Sequence, residues 1–110
     1  MEESLEYLDR PLSRSDVDAI PGSVVVDFGT SWCSHCQAAQ PAIATAMAAH
    51  RQVRRIKIED GKGRLLGRSF GVKLWPTLIF LRDGKEVARL VRPREARIIE
   101  QALAQIDGVI

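Results

Sequence analysis

The chain predicts an α/β fold, a mixed central sheet of four to five strands with helices on both faces. Three observations carry that prediction. The apolar run Val24-Val25-Val26-Asp27-Phe28 reads as a buried, central strand, because both of its faces are hydrophobic. Five residues after it comes Cys33 and three later Cys36, the only two cysteines, at the head of an alanine-rich stretch that reads as a helix. Farther on, residues 77–81 and 86–91 flank Asp83-Gly84, a dipeptide that supplies the positive φ angles of a tight hairpin. At 110 residues the chain is one domain, 1–110, able to bury a core without disulfide staples.

The elements follow in order. Residues 5–8 predict a short first strand. Ser13 or Ser15 can cap a short helix reaching Ile20, which Pro21-Gly22 ends. Residues 23–28 form the buried strand, and a helix runs over 33–50 with Pro41 inside it. The proline ring removes one backbone hydrogen bond, so a kink is expected there. Ile43 and Met47, four apart, face the core. Residues 53–58 alternate as an imperfect strand with its apolar end at Ile56 and Ile58. Residues 61–70 read as a glycine-punctuated turn and short helix. After the hairpin, Pro93 suits the first turn of a final helix, whose Ile98, Ala102, Leu103 and Ile106 give an apolar face.

Composition narrows the function classes. No apolar run approaches the ~20 residues that span a bilayer, so no membrane partner is expected. The acidic start, Met1-Glu2-Glu3, has no hydrophobic signal core, which predicts a cytoplasmic protein. Residues 1–50 carry 2 basic and 7 acidic side chains; residues 51–110 carry 14 and 7. Arg51, Arg54, Arg55 and Lys57 form one basic cluster, and Arg89, Arg92, Arg94 and Arg97 another. The plain reading is two solvated faces; the sharper one is a preference for acidic protein partners. Nucleic acid is not expected, because no aromatic residues interleave with the basic ones. A monomer is expected.

A lone C-x-x-C points to redox or metal chemistry, since a bridge of that span closes too small a loop to stabilise much. Zinc would need four ligands, and only His35 and His50 could join the thiols, so no metal and no cofactor is predicted. Cys33, at the helix N-terminus, is placed to become a thiolate, because unpaired N–H groups and the helix dipole favour negative charge there. Asp27 is a carboxylate inside an apolar strand. Desolvation would make it a proton acceptor near neutral pH; the alternative is a solvated edge position.

Four motifs in order, Val26-Asp27-Phe28, Trp32-Cys33-x-x-Cys36, Pro41 and Pro76-Thr77, resemble the thioredoxin family over nearly the whole chain. The resemblance implies a thioredoxin fold and a thiol–disulfide oxidoreductase acting on protein disulfides with an unidentified reductant or oxidant. It implies that Cys33 attacks, that Cys36 resolves the mixed disulfide, and that Asp27 assists Cys36. It implies that Pro76 is a cis-proline facing the cysteines, placing Trp32, Ser34, Trp75 and Pro76 on the substrate rim.

Four departures qualify that picture. Ser34-His35 replaces the Gly-Pro pair of thioredoxin, and a histidine there resembles disulfide isomerases and oxidases. Its imidazole would stabilise the Cys33 thiolate and make the pair more oxidising, or it merely faces solvent. Gly29 stands where many thioredoxins have Trp, and Trp75 where most have a smaller residue; an exchange of indoles and simple core filling both fit. Arg92 replaces the usual Gly and would narrow the docking groove. The alternative function is a non-catalytic or redox-switched binding or assembly adaptor.

Overall fold

The computed structural model describes residues 6–8 and 12–108. The element order is α1 (Arg14–Asp18), β1 (Ser23–Gly29), α2 (Ser34–Ala48), β2 (Arg54–Glu59), α3 (Leu65–Ser69), β3 (Thr77–Arg82), β4 (Lys85–Val91) and α4 (Ala96–Ala104). The strands form one sheet in the order β2-β1-β3-β4. β1 pairs parallel with β2 and antiparallel with β3, and β3 pairs antiparallel with β4. β1 is therefore interior, which is why its residues are apolar on both faces. In place of a full first strand there is a single parallel bridge, Leu8 to Ile58. Leu5, the other end of the expected strand, lies outside the described residues.

Side-chain alternation divides the core. On one face Val25, Leu78 and Phe80 pack against Ile43, Ala46 and Met47 of α2 and Ile99, Ala102 and Leu103 of α4. On the other, Val24, Val26, Phe28, Ile56 and Ile58 pack against Val17, Leu66 and Phe70. Each large side chain removed from water contributes about 1.5–3 kcal/mol.

Local signals set the element ends. Ser13 caps α1 with a reciprocal pair: its side chain accepts from Asp16 N–H, and Asp16 accepts from Ser13 N–H at 2.9 Å. α2 passes Pro41 as one unbroken helix. The hairpin turn has φ 51° at Asp83 and 82° at Gly84. A Cβ at Gly84 would collide with the Asp18 carbonyl, so the turn requires glycine for both conformation and space.

Three expectations are corrected. Pro93 lies ahead of α4 rather than in its first turn, because Glu95 takes the extended N-cap conformation. The buried residue of the first turn is Ile99, with Ile98 only half-buried, since Ile99 and Leu103 are four apart on one helix face. Only half of the basic cluster at residues 51–57 is a solvated face: Arg51 and Arg54 are exposed, but the other two are not. Arg55 is 5% exposed and Lys57 7%, because both lie on the side of β2 that α2 covers.

Candidate active site

The site forms where β1 ends and α2 begins. Cys33 is the N-cap of α2, in extended conformation, and its Sγ accepts a hydrogen bond from Cys36 N–H at 3.2 Å. A sulfur that receives a backbone N–H at a helix N-terminus sits where negative charge is favoured. Both cysteines are free thiols and both are buried, Cys33 at 8% and Cys36 at 1% exposure. Burial pushes the Cys36 thiol up to about 11. The adjacent Cys33 adds to that rise, while the Thr30 backbone and the Tyr7 hydroxyl oppose it. The two thiols are thus chemically unequal. Ser34 and His35, the first residues of α2, are exposed.

Behind the thiols lies a buried polar group. Asp27 is fully buried, and Arg55 on the neighbouring strand donates to its Oδ2 at 2.6 Å. The same guanidinium nitrogen donates to Gln40 Oε1 at 2.5 Å, and Gln40 Nε2 donates to the Cys36 carbonyl at 3.0 Å. Asp27 is thus desolvated rather than at a solvated edge, and it has a counter-charge in Arg55. Its partner is one of the residues read from the sequence as surface. Asp27 Oδ1 remains without a described partner. Lys57 lies in the same region, and burial together with the nearby Arg55 charge holds its ammonium below the usual lysine value.

Gly29 closes β1 where the chain must leave room. A Cβ there would strike the Cys36 sulfur and lie 2.9 Å from the Tyr7 hydroxyl. Tyr7, absent from every motif, thus belongs to this site. An open cleft of about 380 Å³ reaches it, lined by Glu6, Tyr7, Thr30, Cys36, Gln40 and Lys57 among others.

The rim is built by residues 74–76 and 92. The Trp75–Pro76 bond is cis. Trp32 is 71% exposed and meets Trp75 edge-to-face, with ring centroids 5.7 Å apart. Trp75 itself is half-buried, and its indole N–H donates to Asp60 Oδ2 at 2.9 Å. Asp60 N–H in turn donates to the Gly29 carbonyl at 2.9 Å. The free apolar anchor is therefore Trp32, and Trp75 supports it. Arg92 holds φ at 53°. Its N–H donates to the Pro76 carbonyl at 2.8 Å, and its Nε donates to the Trp75 carbonyl at 2.7 Å. The expected groove-lining cation is thus tied to the backbone of the rim rather than standing free in solvent.

Sequence reasoning missed Tyr7, Gln40, Arg55 and Asp60. Arg55 had a signal: it shares a strand face with the buried Val53, and the nearest acid across the sheet is Asp27. Tyr7 had none, since nothing local relates it to a thiol 29 positions away. Among the described residues, no group of three or more His, Cys, Asp or Glu is placed to hold a metal ion.

The thioredoxin family pattern matches residues 13–105. Thioredoxin 2 of Pseudomonas aeruginosa PAO1, in its reduced form, superposes with a TM-score of 0.84 at 50% identity, covering 94% of this chain and 95% of that one. A thioredoxin from Chlamydia muridarum is 37% identical over 70 residues, covering 64% of this chain and 69% of its own length. Protein disulfide-isomerase A2 of Pongo abelii is 37% identical over 92 residues, covering 78% of this chain and 18% of its own length. A mixed four-stranded sheet flanked by helices, with a C-x-x-C at the head of the helix after the central strand, defines a thiol–disulfide oxidoreductase. The chain belongs to the thioredoxin family.

Proposed function

We propose that the chain exchanges a Cys33–Cys36 dithiol and disulfide with protein disulfides, and that it is more oxidising than typical thioredoxin. The observation that carries the exchange reading is the Cys33 sulfur at the α2 N-cap, receiving the Cys36 N–H at 3.2 Å. Cys33 thiolate attacks one sulfur of the substrate disulfide. A Cys33–substrate bond forms, the substrate S–S bond breaks, and one substrate thiolate leaves. Cys36 gives up its proton, with Asp27 Oδ1 as acceptor, and attacks Cys33 Sγ. The intramolecular disulfide forms and the second substrate thiolate departs. The substrate loses its disulfide and gains two electrons from the pair.

The oxidising character rests on His35. It is exposed on the first turn of α2, two residues from Cys33, and a charged or N–H-donating imidazole there favours the thiolate. A stabilised thiolate stabilises the reduced pair and raises the potential. The expected value lies between about −240 and −170 mV, against about −270 mV for thioredoxin. Trp32, Ser34, Trp75, Pro76 and Arg92 form the docking rim for an extended peptide. A cytoplasmic, monomeric protein without cofactor completes this reading.

An adaptor reading draws support from Trp32, whose exposed indole offers an apolar anchor with or without turnover. Two measurements separate the cases. Cys33→Ser should abolish reduction of insulin disulfides while leaving the fold intact; retained activity refutes the exchange mechanism. A glutathione titration of the pair that returns a potential below about −260 mV refutes the oxidising character.

A further inference from the structure

We propose that Tyr7 is a catalytic hydrogen-bond donor to the resolving thiol, its hydroxyl binding the Cys36 sulfur while that sulfur carries negative charge. This deepens the exchange mechanism above and rests on it.

Three independent placements converge on this assignment. The phenol oxygen and the Cys36 sulfur crowd the same small volume over Gly29, where no side-chain atom fits. The Tyr7 hydroxyl is buried and makes no well-formed hydrogen bond among the described residues while both cysteines are thiols, yet it already favours the ionised form of the Cys36 sulfur beside it. A buried donor left without a good partner is costly, so its retention calls for an acceptor that arises elsewhere in the cycle. Finally, the ring is held in place. Leu8 N–H donates to the Lys57 carbonyl at 2.8 Å, and the Lys57 ammonium lies 4.4 Å from the Tyr7 ring centroid.

The chemistry suits a donor and not a base. Burial and the neighbouring Asp27 and Cys36 hold the phenol far above its usual range, so it keeps its proton at any working pH. When Cys36 loses its proton to attack Cys33 Sγ, the Tyr7 O–H donates to the new thiolate and retains its own hydrogen. As the Cys33–Cys36 bond forms, the charge passes to the departing substrate thiolate and the hydrogen bond weakens. In the reverse direction Cys36 is the leaving group, and the same bond stabilises its departure. Charge-assisted hydrogen bonds are about twice as strong as neutral ones, so the contact acts on the charged state.

The test is Tyr7→Phe, which removes one oxygen and keeps the ring. Reduced protein is mixed with oxidised glutathione in a stopped-flow instrument, with tryptophan fluorescence as the readout. The slope at low glutathione reports attack by Cys33, and the plateau at high glutathione reports resolution by Cys36. The expected result is an unchanged slope, a plateau lowered about tenfold, and a plateau pH profile displaced to higher pH. Cys33 on α2, Asp27 on β1, Arg55 and Lys57 on β2, and Glu6 beside Tyr7 also face this region, and the variant leaves all of them in place. A wild-type plateau and profile overturn the proposal, as does an equal fall in slope and plateau, which marks a purely structural role. The Cys33→Ser variant tests the underlying exchange separately. If it is inactive and Tyr7→Phe is unchanged, only the assignment of Tyr7 fails.

Discussion

Arg92 occupies left-handed backbone, where a side chain is disfavoured and glycine is at ease. Its two hydrogen bonds, to the carbonyls of Pro76 and Trp75, offset that strain and fasten the rim loop. If an extended substrate strand pairs with the Trp75 carbonyl, as proposed for the rim, Arg92 competes for that acceptor. Arg92→Gly is expected to lower KM for neutral protein disulfides and to change unfolding stability by less than about 1 kcal/mol. Steady-state insulin reduction and thermal unfolding check both halves; a raised KM contradicts the competition. The two thiols make a second prediction. A thiol pushed up to about 11 stays protonated at neutral pH and becomes a thiolate only as pH rises toward that value. Alkylation of the reduced protein by iodoacetamide at pH 7 should therefore place one adduct, on Cys33, with Cys36 reacting as pH climbs. Equal labelling of both at pH 7, read by mass spectrometry, contradicts this.

At the scale of elements, the hairpin and the α2–α4 layer carry the load. The β3–β4 turn was legible because Asp83-Gly84 is a local solution to a local problem, two successive positive φ angles. The tertiary contact adds a second demand, since the Asp18 carbonyl sits where a Gly84 Cβ would go. Gly84→Ala should destabilise the protein by more than about 1 kcal/mol, the cost of backbone strain alone. Leu103 is fully buried between α4 and the sheet. Leu103→Ala should cost about 2–5 kcal/mol in urea unfolding and leave the rate of Cys33 alkylation unchanged, because it opens a cavity remote from the thiols.

At the scale of the whole molecule, the Asp27–Arg55 pair joins β1 to β2, and Gln40 extends it to α2 and the Cys36 carbonyl. Both charged side chains are almost wholly removed from water, with 0% and 4% exposure. Removing one partner strands the other charge in the core, whereas removing both does not. Arg55→Met is expected to destabilise by about 3–5 kcal/mol, and adding Asp27→Leu to that variant is expected to recover much of the loss. Urea titration of the single and double variants decides it; equal stabilities would contradict a charge stranded at Asp27.

What the sequence determined by itself was the order of the elements, the hairpin, the interior position of β1 and the thiol pair at the head of α2. Each rests on short-range physics: side-chain alternation, capping, and the conformations open to glycine and proline. Tertiary structure alone decided the company those thiols keep. Arg55 meets Asp27, Tyr7 meets Cys36 and Arg92 meets Trp75 across separations of 28, 29 and 17 residues. Such meetings follow from sheet register and from how the segment before α1 lies along β2. A one-residue shift of register would turn Arg55 to the opposite face; alternation with Ile56 and Ile58 sets that face, but no local pattern names Asp27 as its partner.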